Sequence, residues 1–332
     1  VQTWLYLVAG LVFLMVVVGG ATRLTDSGLS ITEWKPILGA IPPLSDADWH
    51  EVFAKYREIP EYHLVNKGMS LEDFKFIYWW EWSHRFLGRF IGVAFALPLI
   101  GFWMLGKLRP GLGVRLAGVL ALGALQGGIG WFMVKSGLVD RVDVSQYRLA
   151  LHLAIAFLIF GLLLWLAFDL EDGAETRGSA VPSSGGKRLA GAIVVLVFVQ
   201  VMLGALVAGL KAGLAHNTWP LMDGALVPDG LGALSPWYLN IFENVTTVQF
   251  NHRLMAYAVT LLALGQAWAL RRTAISGTAA MLAAAVLCQA MLGIWTLLEG
   301  VPLWLGLAHQ AGAAIVLGLA VRHLHGAVRT GI

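Results

Sequence analysis

The chain has 332 residues, 58% of them hydrophobic and only 13% charged, with a net charge of +3. A water-soluble domain carries roughly twice that charged fraction, so the polar residues are too few to coat a soluble surface and a bilayer is the matching solvent. The small basic excess suits loops at one membrane face rather than nucleic-acid binding, and the single cysteine, Cys288, excludes an intrachain disulfide and any Cys-x-x-Cys motif.

A helix needs about 20 apolar residues to cross a bilayer. Eight stretches meet that length and composition: 4–20, 78–105, 116–134, 149–168, 189–209, 248–270, 278–298 and 303–321. The expected fold class is therefore an all-α polytopic membrane protein with eight transmembrane helices. With eight crossings both termini share one side. The short connections on that side, with the tail, carry Lys107, Arg109, Arg115, Arg177, Lys187, Arg188, Arg271, Arg272, Arg322 and Arg329. Those opposite carry Lys135, Arg141 and Arg148. The bias places both termini in the cytoplasm. After the first span, "SDADWHEVFAKY" spaces Trp49, Val52, Phe53 and Tyr56 as a short amphipathic helix. Ser45 caps it, Pro60 closes it, and it is expected to lie on the outer face. Ser70 and Asp73 in "SLEDF" predict the cap of the second span. The Gly-, Ser- and charge-rich stretch 171–188 reads as a cytoplasmic linker between halves 1–170 and 189–332.

The halves repeat. "GLSITEW" (28–34) aligns with "GLAHNTW" (213–219), and "HRFLGRF" (84–90) with "HRLMAYA" (252–258). "QGGIGWFMVKSG" (126–137) aligns with "QAMLGIWTLLEG" (289–300). The expected architecture is two repeated four-helix bundles related by an axis along the membrane normal.

Four histidines lie within spans: His84, His152, His252 and His309. All four stand near the start of even-numbered spans, so their rings share one depth near the outer face. Two imidazoles at matched depth in a four-helix unit suit the iron of a haem. Zinc or copper stays open, although two histidines alone leave a zinc site incomplete, and a lone intramembrane histidine often serves packing only. Gly88, Gly92, Gly127, Gly128 and Gly130 offer room for a flat macrocycle or for close helix packing. His50, His63, His323 and His325 read as solvated loop and tail residues. His216, in the apolar "AHNTWPLMDG", is the exception and a candidate haem-edge contact.

Glu81 precedes His84 by three residues and shares its helix face. The equivalent position before His252 is Gln249. The spacing supports a carboxylate held over a bound ring, handling protons, orienting water or stabilising positive charge. The alternative is an ion pair with Arg85 or Arg89, or an acceptor for a histidine N–H. Arg23, Lys35, Arg85 and Arg253 are candidate propionate contacts, and the repeated His-Arg dipeptide favours a shared role.

"GGATRLTDSGLSITEWKPILGAIPP", "EWSHRFLGR", "HNTWPLMDG", "FNHRLMAY" and "LAHQAGA", in this order over about residues 12–321, resemble the heme A synthase family. The likeness is to the proteobacterial and mitochondrial branch, which lacks paired outer-loop cysteines. The resemblance implies oxidation of the C8 methyl of haem O to a formyl group, yielding haem A for terminal oxidases. It implies that His252 and His309 hold a b-type haem as cofactor, that His84 and His152 form the substrate site for haem O, and that Glu81 takes part in catalysis. It implies partners upstream in a haem O synthase and downstream in cytochrome oxidase assembly, with an electron acceptor and any homo-oligomeric state left open. Two other classes fit the same residues: a bis-His membrane cytochrome serving quinol-linked electron transfer, and a haem carrier.

Overall fold

The computed structural model describes residues 1–35, 38–140, 142–171 and 184–331. Most of the expected linker 171–188, and with it Arg177, lies outside the described residues, as does Arg141. Among the described residues eleven α-helices carry the fold: α1 (Gln2–Leu24), α2 (Asp46–Tyr56), α3 (Pro60–Leu64), α4 (Leu71–Met104), α5 (Leu112–Asp140), α6 (Gln146–Glu171), α7 (Ser184–Gly209), α8 (Asn240–Glu243), α9 (Val245–Ala269), α10 (Ser276–Leu298) and α11 (Leu303–Thr330). Among the described residues the only β-type pairing is an isolated bridge between Met222 and Ala225.

The eight long helices fall where the apolar stretches predict. Seven of them (α1, α4, α5, α6, α7, α10 and α11) are long and apolar enough to cross a membrane. The remaining one, α9, has 25 residues, roughly 37 Å at the α-helical rise and longer than a hydrocarbon core of about 30 Å. It stands apart from the seven because its first turns carry Gln249, Asn251, His252 and Arg253.

The chain divides into two compact units, Gly10–His152 and Val1–Ala9 with Leu153–Ile332. In the first, α2 forms as expected. Ser45 Oγ accepts from Asp48 N at 3.2 Å while Asp48 Oδ2 accepts from Ser45 N at 3.0 Å, closing a capping box. The same reciprocal cap joins Ser70 and Asp73 at the start of α4. Pro60 does more than close α2, which already ends at Tyr56. It opens α3, where a proline suits the first turn. The apolar face of α2 does not lie free, because Trp49, Tyr56, Phe74, Ile77 and Tyr78 form one buried cluster with Leu29 and Val144. Phe53 and Phe74 rings are 4.9 Å apart, Tyr56 and Phe74 5.1 Å, and Trp49 and Tyr78 5.0 Å. Each fully buried aromatic contributes about 2 kcal/mol, and Leu29 in the cluster with Ile31 packed against it anchors the segment that follows α1.

In the second unit α7 and α10 each pack against both α9 and α11, giving a four-helix bundle. The part of α6 beyond Leu153 also meets α11, where Gly161 faces Val321 and Gly318 faces Leu164 and Phe160. One expectation is overturned here. His323 and His325 are not solvated, being 0% and 1% exposed. No helix stop precedes Gly331, which adopts φ 73°, so α11 runs on and its apolar face buries both rings. His323 Nδ1 is 2.9 Å from Thr278 Oγ1. His325 Nε2 is 3.1 Å from Asp169 Oδ1, and the ring meets Trp165 edge-on at 5.0 Å.

Candidate functional site: paired histidines and a duplicated arginine clamp

On α4, Glu81, His84 and Arg85 share one face through i, i+3 and i+4 spacing. Glu81 is 2% exposed. Its Oε2 accepts from Ser30 Oγ at 2.8 Å and from Ile31 N at 2.7 Å, and its Oε1 accepts from Arg85 Nη2 at 2.6 Å. Arg85 also donates to the carbonyls of Ile31 at 2.9 Å and Glu33 at 3.1 Å. The repeat reproduces this clamp residue for residue. Arg253 donates to the His216 carbonyl at 2.8 Å, the Thr218 carbonyl at 2.8 Å and Gln249 Oε1 at 3.0 Å.

The Glu-to-Gln difference has a local cause. Beside Glu81 the loop presents two donors, a hydroxyl and an N–H, which an acceptor-only carboxylate satisfies. Beside Gln249 the loop presents a carbonyl, Ala212 O, which takes a bond from Gln249 Nε2 at 2.8 Å. An amide can donate there while still accepting from its arginine; a carboxylate cannot.

The structure brings His84 to His152 and His252 to His309. Ring centroids are 6.4 Å apart in the first pair and 6.5 Å in the second. Each ring leans on a glycine of the preceding long helix. A Cβ would stand 2.9 Å from His84 Cε1 at Gly19, 3.1 Å from His152 Cε1 at Gly130, 3.1 Å from His252 Cε1 at Gly204 and 2.7 Å from His309 Cε1 at Gly293. Gly19 and Gly204 are repeat equivalents, as are Gly130 and Gly293. Of the glycines singled out from sequence, Gly130 holds a ring, Gly88 faces Met15, and a Cβ on Gly92, Gly127 or Gly128 would meet nothing within 4 Å. Sequence reasoning missed Gly19 and Gly204, which the repeat alignment extends to when read nine residues upstream of its first block.

The imidazoles fit a haem iron. Metal–imidazole bonds of about 2 Å on both sides set ring centroids roughly 6 Å apart. Nδ1 of His84, His152 and His252 is buried with no hydrogen-bond partner, a cost protein interiors seldom leave uncompensated. Among the described residues no three His, Cys, Asp or Glu side chains gather as a metal site, so the donor set at each pair is two imidazoles, too few for a closed zinc site.

The other candidates have defined partners. Arg23 Nη1 is 2.9 Å from Asp26 Oδ1 and 3.4 Å from Asp143 Oδ1. Lys35 pairs with Glu33 at 3.0 Å; that lysine and Lys55 together hold the Glu33 carboxyl below its ordinary range. His216 bridges Asp223 Oδ2 at 2.5 Å and Thr246 Oγ1 at 3.0 Å. The His216 hydrogen bond lowers the Asp223 pKa. His50 and His63 are exposed, as expected.

The chain matches the family described as COX15-CtaA, cytochrome oxidase assembly protein, over residues 2–321. It is similar to the protein named "Heme A synthase" of Parvibaculum lavamentivorans, 56% identical over 322 residues, 97% of this chain and 92% of that one. The proteins of the same name from a Chelativorans species and from Mesorhizobium japonicum are 57% and 53% identical, over 97% and 98% of this chain and 90% of each relative. A match of this extent takes in both histidine pairs and both arginine clamps, and the chain belongs to the COX15-CtaA family of cytochrome oxidase assembly proteins.

Proposed function

We propose that this chain acts as a heme A synthase, oxidising the C8 methyl of haem O to the formyl group of haem A. The observation that carries the reading is the pair of two-imidazole sites at 6.4 and 6.5 Å, in a chain whose relatives bear that name. The N-terminal half, 1–170, takes haem O between His84 and His152. The C-terminal half, 189–332, holds haem b between His252 and His309. When bound, that haem b supplies one-electron transfer.

Net, the methyl group and one water give the formyl group, four protons and four electrons, and the electrons pass to an acceptor in the membrane, a quinone or another haem protein. The chain's contribution is to hold the substrate iron from both faces and to present one carboxylate beside it. With an imidazole on each side, water rather than iron-activated oxygen is the oxygen source in this reading. Glu81 Oε1 retains a lone pair beyond its bond to Arg85 and takes the proton from that water. Ser30, Ile31 and Arg85 fix the carboxylate so that it needs no reorganisation as positive charge develops. In this reading Arg23, Arg85, Arg253 and His216 serve as propionate or haem-edge contacts.

The chain sits in a bacterial cytoplasmic membrane with both termini cytoplasmic and the haem sites near the outer face. Haem O comes from a haem O synthase, and haem A passes to cytochrome oxidase assembly. The test is to extract haems from cells that make haem O, with and without this chain. Haem A should appear only with it. Two identical, permanently bound haems and no haem A would instead place it among bis-His electron-transfer cytochromes. Turnover in 18O-labelled water should label the formyl oxygen, after correction for exchange; an unlabelled formyl would refute the water route.

A further inference from the structure

Each ring-facing glycine has a second residue one turn before it on the same helix face. These are Met15 before Gly19, Gln126 before Gly130, Gln200 before Gly204 and Gln289 before Gly293. Residues four apart stack one above the other on a helix, so this position also meets the histidine-bearing helix. In three copies the glutamine amide crosses to the histidine's own backbone. Gln126 Nε2 donates to the His152 carbonyl at 2.9 Å, Gln200 Nε2 to the His252 carbonyl at 3.1 Å and Gln289 Nε2 to the His309 carbonyl at 2.7 Å. Gln200 and Gln289 also approach a ring nitrogen, at 3.3 and 3.1 Å.

The fourth copy breaks the pattern. Met15 has no donor for a carbonyl. Its methyl instead reaches α4 beyond His84, standing 3.3 Å from where a Cβ on Gly88 would be. Three histidines are thus tied to the neighbouring helix by a hydrogen bond from a glutamine amide to their backbone carbonyl. His84 meets α1 at Gly19, and the residue one turn before that glycine is a thioether, flexible and polarisable, that reaches α4 at Gly88 and accommodates displacement.

A haem held by two imidazoles can enter or leave only if one of them lets go. A resident cofactor is best served by two tied histidines, and the C-terminal pair has both. A site that must take in haem O and discharge haem A needs one ligand that moves at low cost, and the N-terminal pair has one tied and one untied. We propose that His84 is the imidazole that leaves the substrate iron when haem is exchanged, with His152 as the fixed ligand, and that Met15 is the positioning residue that permits it. The inference rests on the N-terminal pair being the substrate site.

The experiment measures the release of haem O and haem b separately from the purified full-length protein into excess apomyoglobin, with the two haems resolved by chromatography. Haem O should leave faster than haem b. Met15→Gln should slow haem O release about three- to tenfold, the ratio one net hydrogen bond supplies. Gln200→Met, which adds no buried polar group, should speed haem b release by a similar factor and keeps the test open if Met15→Gln folds poorly. Haem O release that ignores Met15→Gln but rises with Gln126→Met would assign the moving ligand to His152 and overturn the proposal. Haem b release unchanged by Gln200→Met would overturn it by showing that the amide does not hold a ligand. If haem O binding survives His84→Ala and His152→Ala undiminished while haem b release responds as expected, the substrate-site assignment itself has failed, and the proposal with it.

Discussion

Gly293→Ala tests whether the glycines set the imidazole positions. The added methyl would stand 2.7 Å from His309 Cε1 and 3.3 Å from Nδ1. Carbon–carbon contact relaxes at about 3.5–4.0 Å, so ring and methyl must part by roughly 1 Å. Overpacking of this kind costs about 1–3 kcal/mol, against which alanine recovers at most about 1 kcal/mol of helix propensity. The ring is the softer partner, and a metal–nitrogen bond of about 2 Å does not survive a displacement half its length. With haem b at the C-terminal pair as proposed, the haem b retained per protein, measured as the pyridine haemochrome after detergent purification, should fall about tenfold or more. Gly204→Ala faces a milder approach, 3.1 Å from His252 Cε1, and should lose less haem b than Gly293→Ala. Gly265→Ala, where the methyl would meet nothing within 4 Å, is the control and should change nothing. Full haem b with an unaltered spectrum in Gly293→Ala would refute the argument, as would an equal loss in Gly265→Ala.

Glu81→Gln sets an amide N–H against the donors of Ser30 and Ile31; formation of haem A, followed by haem extraction, should fall about a hundredfold while haem b stays bound. Gln249→Glu sets a carboxylate against the Ala212 carbonyl and should destabilise the fold by about 1–3 kcal/mol, the cost of an unsatisfied buried acceptor, read as a lowered thermal midpoint. Asp223 has its folded pKa depressed by the His216 bond. Its contribution is therefore complete above the unfolded value and disappears as pH falls through the lower folded one. The melting difference between the parent and Asp223→Asn should be full near neutrality and close below the ordinary aspartate range of about 4; a difference that grows on acidification would contradict this sign.

The sequence alone determined the long helices and singled out the histidines, because both are written in one dimension. Apolar runs long enough to span a bilayer specify helices whatever they pack against, and a repeat shows on alignment. The histidines, the clamp arginines and the Glu81/Gln249 difference were legible this way, as were the Ser45 and Ser70 caps, whose partners lie three residues on. What needed the tertiary structure was every relation between helices. The partner of each imidazole and the glycine beneath it depend on which helix faces which. So does the reason for Gln249, since an amide and a carboxylate are distinguished only by whether the opposing loop atom donates or accepts. The burial of His323 and His325 went unread because a polar helix end looks solvated until its acceptors, Asp169 and Thr278, arrive from other helices. Met15 shows the limit most plainly. In sequence it is one more apolar residue in a span, and only its place one turn before Gly19, where three sister helices put a glutamine that bonds a histidine carbonyl, gives it meaning.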